Sequence, residues 1–501
     1  MSIIRGQKHH FEIKQTASAA SVTGKRDLGG NQKCSRVSLA ASLALVALGL
    51  AGVAPGAQAQ IATPAMTKSE KATPVTEFRL DNGIRVIVIP DHRVPVVTHM
   101  VWYAVGAADE GPDEHGVAHY LEHMMFKGTA TYPKGQFDRF VMSRGGAHNA
   151  STSMEYTNYY QRLPKPALPQ IMAMEADRMV NLKINDEDVA SERAVVLEEF
   201  HRKELIVSFD LEKKVGVALH GNDPRSRTTI GTEAEIKVLN GVTAQRFYER
   251  FYGPSNATVV VAGDVTEAEV RTLTAQTYGK VASRSGLGTH VKPTMDATGP
   301  SVRVESSHER ATAVGVKRVY VVPATEKLSI KQLNAANVLE YIAGNGSTSR
   351  LHRRLVNEQG VATGVGCNYA YNQTVSTFDC YANGRVGITV PQLEAAFDKA
   401  LDELAGNGVT DEEFDEIKGR ILATSAYRRD NVYSRAQSYA SSLSVGMLIA
   451  DVDAFETIVE SLTRADIDRM AGQILVGTRQ VSGVLTPKSP VAAAATATSA
   501  N

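Results

Sequence analysis

The sequence predicts an α+β protein of two homologous α/β sandwiches, each an antiparallel-rich sheet with helices, the second a diverged repeat of the first. Three observations lead there. At 501 residues the chain is too long for one modest core. Strand and helix patterns mix without strict βαβ alternation. The order of elements also recurs after a stretch near residue 290 that loses apolar periodicity and gathers Gly, Pro, Ser and Thr.

The bulk composition narrows the function. Lys and Arg total 54 and Asp and Glu total 54, so no net field draws in nucleic acid or an anionic membrane. With 43% hydrophobic and 22% charged residues, the composition is that of a globular protein. Residues 37–60, VSLAASLALVALGLAGVAPGAQAQ, form an apolar run followed by small residues, with Lys25, Arg26, Lys33 and Arg36 upstream. This pattern predicts a signal peptide cleaved near Ala59 and a periplasmic protein with no membrane span after cleavage; an anchor formed by residues 37–56 is the alternative. Cleavage there removes Cys34 and leaves Cys367 and Cys380 in an oxidising compartment. The segment between them reads as two strands and a turn, which could set the two cysteines opposite each other; two separate buried thiols are the other reading.

Taken in order, EFRLDNGIRVIVIPD gives alternation around a DNG turn, and VVTHMVWYAVGAADE a second strand. A helical pattern opens near His115. GGAHNASTSMEYTNYYQRL follows as turn and strand, then helices over PALPQIMAMEADRMV and DEDVASERAVVLEEFHRKEL. FYGPSNATVVVAGDV reads as a loop entering a buried strand, and TEAEVRTLTAQTYGKV as a helix. Beyond the break come strands (VGVKRVYVVPAT), a helix (IKQLNAANVLEYIAG), a helix around SRLHRRLVNEQG, a hairpin, and helices to about residue 475. The expected division is an N-terminal extension with signal peptide over 1–60, a disordered lead-in over 61–75, a first domain over 76–281 and a linker over 282–301. A second domain follows over 302–487, then a disordered tail over 488–501.

Chemistry concentrates in HYLEH, residues 119–123. On a helix His119 and His123 stand at i and i+4 on one face, with Glu122 beside them. A catalytic zinc takes a third protein ligand as well. The helix over residues 186–205 offers glutamates, and its periodicity sorts them. Val189, Val196, Leu197 and Phe200 form the core stripe, Glu192 and Glu199 share its border, and Glu198 points away. Glu199 is therefore the better-placed third ligand, with Glu192 two turns earlier behind it. The corresponding stretch of the second half, NVLEYIAGNGST, has no histidine, so only the first half can build such a site.

These stretches resemble the inverted-motif zinc peptidases that include pitrilysin, insulysin and the mitochondrial processing peptidase. The resemblance runs over roughly residues 76–485, carried by DNGIRVIVIPD, GVAHYLEHMMFKGT, GGAHNASTSMEYTNYY, ERAVVLEEF and FYGPSNATVVVAGDV. The 75 residues between His123 and Glu199 match the spacing of the processing-peptidase branch. The resemblance implies one Zn2+ per chain on His119, His123 and Glu199, Glu122 as general base and Glu192 as an outer carboxylate. Asn149 and Ala150 take the positions that hold an extended substrate backbone. His115 and His148 receive no role and read as core or surface residues.

One departure stands out. Single-chain members carry an arginine and a tyrosine in a pattern like LREKxGLAY; here LVNEQGVAT, residues 355–363, puts Val356 and Thr363 in those places. Neither donates as that pair does, although Tyr369 and Tyr371 on the following hairpin could substitute in part. The reading that follows is the zinc-bearing subunit of a half-size peptidase acting on peptides or unfolded segments. It would work with a second homologous subunit carrying the Arg/Tyr pair, or as a homodimer. The alternative is a non-catalytic complex subunit of the same fold.

Overall fold

The computed structural model describes residues 74–284, 286–289, 299–322, 327–373 and 376–488. The signal peptide and membrane-anchor expectations, the lead-in before Pro74, the middle of the linker and nearly all of the tail lie outside the described residues.

Eleven strands form two sheets among the described residues. The first contains β1 (Thr76–Arg79), β2 (Arg85–Pro90), β3 (Val96–Tyr103), β4 (Ala147–Thr152), β5 (Thr157–Pro164) and β6 (Ala257–Gly263), in the order β1-β2-β6-β3-β5-β4. The second contains β7 (Val302–His308), β8 (Gly315–Val322), β9 (Ala362–Ala370), β10 (Ser376–Gly384) and β11 (Gln480–Pro487), in the order β7-β11-β8-β10-β9. Without β1 the two orders coincide. The pairings coincide too: β2 with β6 and β7 with β11 are parallel, and every other neighbour is antiparallel. The chain is thus two copies of one α/β sandwich.

Some elements differ from the sequence reading. GGAHNASTSMEYTNYYQRL is a hairpin of two strands, β4 and β5, because Ser153 to Tyr156 turn the chain: the Ser153 amide donates to the Tyr156 carbonyl at 2.8 Å. Val75, placed in the disordered lead-in, packs against an apolar cluster and belongs to the fold. The helix expected around SRLHRRLVNEQG is a wider winding over His352–Glu358. Cys367 and Cys380 face each other across β9 and β10 and are joined as a disulfide.

Strand alternation sends successive side chains to opposite faces, so each sheet needs a cover on both sides. On one face Val86, Val88, Val97, Val101, Val259 and Val261 build the main core of the first half. It also takes in side chains of α1 (Val117–Met124), α2 (Gln136–Met142), α3 (Leu168–Asn181) and α4 (Asp186–Glu204). The other face, with Ile87, Ile89, Met100, Trp102 and Val260, is covered by Ala436, Tyr439, Ala440 and Leu443 of the helix Val432–Ser444. Reciprocally, Leu211, Val215 and Leu219 of α5 (Phe209–His220) cover Val319, Val321, Val481 and Leu485 of the second sheet. Each half therefore lends a helix to the other. Polar contacts fasten the exchange: Ser306 donates to Asp210 at 2.7 Å and Arg479 to the Ala218 carbonyl at 2.7 Å. No helix of the described residues is long and apolar enough to cross a membrane.

Trp102 is the sole tryptophan, 4% exposed, and sits in the first exchanged interface. Because the halves cover each other, its fluorescence and far-UV circular dichroism should report one coincident denaturant transition. Leu211→Ala and Leu443→Ala should each lower stability by about 2–5 kcal/mol without splitting that transition; two separate steps would show that the halves fold independently.

Candidate metal centre

α1 is short and two-faced. Val117, Ala118, Tyr120, Leu121 and Met124 are buried, while His119 and His123 stand on the less buried stripe. α4 opens on Asn185, whose side chain accepts from the Asp188 amide. The two helices are pinned by the Tyr120 hydroxyl, which donates to the Val189 carbonyl at 2.8 Å. The periodicity of α4 holds: Val189, Glu192, Val196 and Phe200 are buried, Leu197 is partly buried, Glu198 is exposed and Glu199 lies between.

With the helices so placed, Glu199 Oε2 stands 3.6 Å from Nε2 of His119 and 3.6 Å from Nε2 of His123. Among the described residues this is the one trio of metal-ligating side chains whose donor atoms all lie within 4.8 Å of one another. Donors ~2.0–2.1 Å from a tetrahedral zinc stand roughly 3.4 Å apart. The observed separations are about that edge, so two imidazoles and one carboxylate fit the ion. His123 Nδ1 lies 3.0 Å from Glu192 Oε2, which fixes the ring and directs Nε2 toward Glu199. The Lys127 ammonium holds the other oxygen of Glu192. Against the upward push of burial, His123 and Lys127 hold Glu192 down at about 2.

Glu122 is buried beside the trio, and burial raises its pKa while the His123 charge and the Thr152 hydroxyl pull it back. Thr152, at the end of β4, donates to Glu122 Oε2 at 2.6 Å. β4 is the edge of the first sheet, and the Ala150 amide donates to the side chain of Asn149 at 2.9 Å, so it points away from β5 into the open edge. Asn149 is exposed.

Three residues escaped the sequence reading. Thr152 had no spacing to betray it. Lys127 and Lys203 each stand one turn beyond a donor, at i+4 from His123 and Glu199, the signal that could have found them. Lys203 is half-buried, and burial holds its ammonium below the ordinary range against the pull of Glu199 and Glu122. Other candidates fall away from the centre. His115 is buried beside Glu110, and His148 pairs with Asp138 at 3.2 Å between Phe126 and Phe137. Tyr369 and Tyr371 belong to the core of the second half, where Tyr371 donates to the Leu333 carbonyl, so neither is free to stand in for missing donors. Val356 packs against the same core and Thr363 is exposed, its hydroxyl on the Asn383 carbonyl.

The second half repeats the arrangement without the donors. Its helix Ile330–Gly344 packs on β9 as α1 packs on β4. Asn337 to Tyr341, NVLEY, occupies the place of HYLEH, with Glu340 in the position of Glu122. Glu340 is buried and accepts from the Tyr369 amide at 3.2 Å and from Asn345 at 3.1 Å.

The sequence profile described as Insulinase (Peptidase family M16) matches residues 85–233, and that of the Peptidase M16 inactive domain matches residues 243–421. The chain belongs to the insulinase family. Among insulinase-family relatives, a zinc protease of Helicobacter pylori is 28% identical over 349 residues, covering 68% of this chain and 76% of the relative. An uncharacterized zinc protease of Streptomyces coelicolor is 26% identical over 429 residues, covering 82% and 90%. The crystal structure of a protease from Helicobacter pylori superposes with a TM-score of 0.79 at 25% identity, over 83% of this chain and all of the other (100%). Pitrilysin gives a TM-score of 0.67 at 19% identity, over 84% of this chain and 46% of its own length.

Burial works against a charge on His123, yet hydrogen bonds with Glu192 and Glu199 carry its pKa up to about 9. A metal at Nε2 must displace that proton. In calorimetric titrations repeated in buffers of different ionisation enthalpy, zinc uptake at pH 7 should release about one proton from His123, and apparent affinity should fall about tenfold per pH unit below 9. In the metal-free chain the raised pKa of His123 should stabilise the fold fully below 6.5, and that contribution should be lost as the pH rises through about 9.

Proposed function

We propose that this chain is a zinc metalloendopeptidase that holds one Zn2+ on His119, His123 and Glu199. The observation that carries this reading is the convergence of those three donor atoms with a buried carboxylate, Glu122, at their side. Relatives named zinc proteases support it. A zinc ion held by His119, His123 and Glu199 would supply Lewis-acid chemistry, acidifying water and polarising the scissile carbonyl. Glu122, buried beside the trio, would take the proton of the attacking water and return it to the leaving amine. Thr152 holds the carboxylate in place, and Glu192 with Lys127 orients His123.

The substrate is a peptide or unfolded segment that adds as a strand to the edge of β4, where it replaces the Asn149 side chain on the Ala150 amide. With Val356 and Thr363 in the place of the Arg/Tyr pair, a second homologous subunit, or a second copy of the chain, supplies the missing donors. We place the protein in the periplasm after cleavage near Ala59, and its functional unit as the first domain over 76–281 with the repeat over 302–487. The loss of the pair also favours a second reading, a non-catalytic subunit of the same fold; the intact trio and base weigh against it.

Purified protein should hold about one zinc ion per chain, as a three-ligand hydrolytic site does; a folded chain that binds none sinks the proposal. Glu122→Gln should keep the metal and lose ~10²- to 10⁴-fold of the peptide hydrolysis rate. Mixing the chain with its homologous partner should raise activity well above that of the chain alone; equal rates exclude the partner requirement.

A further inference from the structure

α1 begins without a side-chain cap of its own. Its cap position is Gly116 at φ +82, and a Cβ there would lie 2.8 Å from the Ile230 carbonyl oxygen, so no Ser or Asp can stand at that position. The first amides of a helix nevertheless need acceptors. Glu110, 6% exposed, supplies them from outside the helix: Oε2 accepts from the Gly116 amide at 3.0 Å and Oε1 from the Ala118 amide at 2.9 Å. The clamp therefore holds the residue immediately before His119.

A buried carboxylate is costly to maintain. Burial pushes the Glu110 pKa up, and the Ala118 and Gly116 amides, one on each oxygen, pull it back toward the ionised form that such a pair of acceptors requires. Two other carboxylates face it: Glu235, and Glu114, which is engaged by Arg246 at 2.8 Å. His115, 7% exposed, has its Nδ1 3.7 Å from Glu110 Oε2. Two acceptor oxygens on one rigid fork match the two amides, and the negative charge matches the positive end of the helix.

We propose that Glu110 is a positioning residue of the metal centre: its carboxylate clamps the first turn of α1 and thereby sets where His119 meets Glu199. The inference rests on the zinc reading given above. α1 has only eight residues, and both histidines and Glu122 lie within two turns of the clamp. A rotation or slip of the first turn would therefore reach the donor atoms directly.

Glu110→Gln keeps the shape but leaves one acceptor for two amides. Measured well below the melting temperatures, it should weaken zinc binding roughly 10- to 100-fold in chelator competition and alter the visible spectrum of the Co2+-substituted protein. kcat should fall and KM for a peptide should change little. Glu110→Asp, which keeps the charge on a shorter arm, should fall between Glu110→Gln and wild type, and carries the test if Glu110→Gln does not fold. Wild-type zinc affinity and cobalt spectrum in the folded variant, even with a lowered melting temperature, would reduce Glu110 to a structural cap and overturn the inference. A wild-type chain that binds no zinc overturns the peptidase reading instead, so the two failures are distinguishable.

Discussion

The centre depends on the apposition of α1 and α4. Two of its donors come from one helix and the third from another, so the geometry is set by helix packing and not by local spacing. Tyr120 on the Val189 carbonyl and His123 on Glu192 bridge the helices, and the apolar stripes of both are buried in one core. This packing brings three carboxylates, Glu122, Glu192 and Glu199, into a half-buried space, which is unfavourable unless positive charge answers them. A proton on His123 and the ammoniums of Lys127 and Lys203 do so in the metal-free chain. Exchanging that proton for a divalent ion would add one positive charge beside the three carboxylates, so cation binding there is coupled to proton release.

The comparison of the two repeats shows how one sandwich can lose a centre and keep its fold. NVLEY retains the glutamate of HYLEH, but Asn337 and Tyr341 replace the histidines. Glu340 now accepts from the Tyr369 amide of β9, the edge strand of the second sheet. The same carboxylate position that faces the metal pocket in the first repeat closes a strand edge in the second. β4 has no such plug: the Ala150 amide is satisfied by Asn149, an exposed neighbour that can swing away. On the β4 edge the Ala150 amide thus rests on an exposed side chain, and on the β9 edge the Tyr369 amide is held by a buried carboxylate.

The halves are not independent units joined by a tether. Each sheet buries its second face against a helix encoded in the opposite half, and each exchanged helix uses an apolar stripe that would otherwise meet water. The repeat with the His119, His123 and Glu199 trio and the repeat without it are bound to one another by this exchange, which gives a physical reason for retaining a repeat that has no such donors.

Much of this was legible in the chain. Apolar patterning located β1, β2, β3, β6, β8 and the β9–β10 hairpin but not β7 or β11, the 3.6-residue period of α4 selected Glu192 and Glu199 over Glu198, and HYLEH gave the paired imidazoles, because these depend on patterns that a helix or strand imposes locally. The tertiary structure alone decided what faces what. That Thr152 touches Glu122, that Tyr369 and Tyr371 are core residues, and that α5 covers the opposite sheet all arise from contacts between distant segments, and that Glu110 holds α1 at Ala118 depends on an irregular turn between them. No local period encodes those contacts, since they are fixed only when both faces of each sheet find their cover.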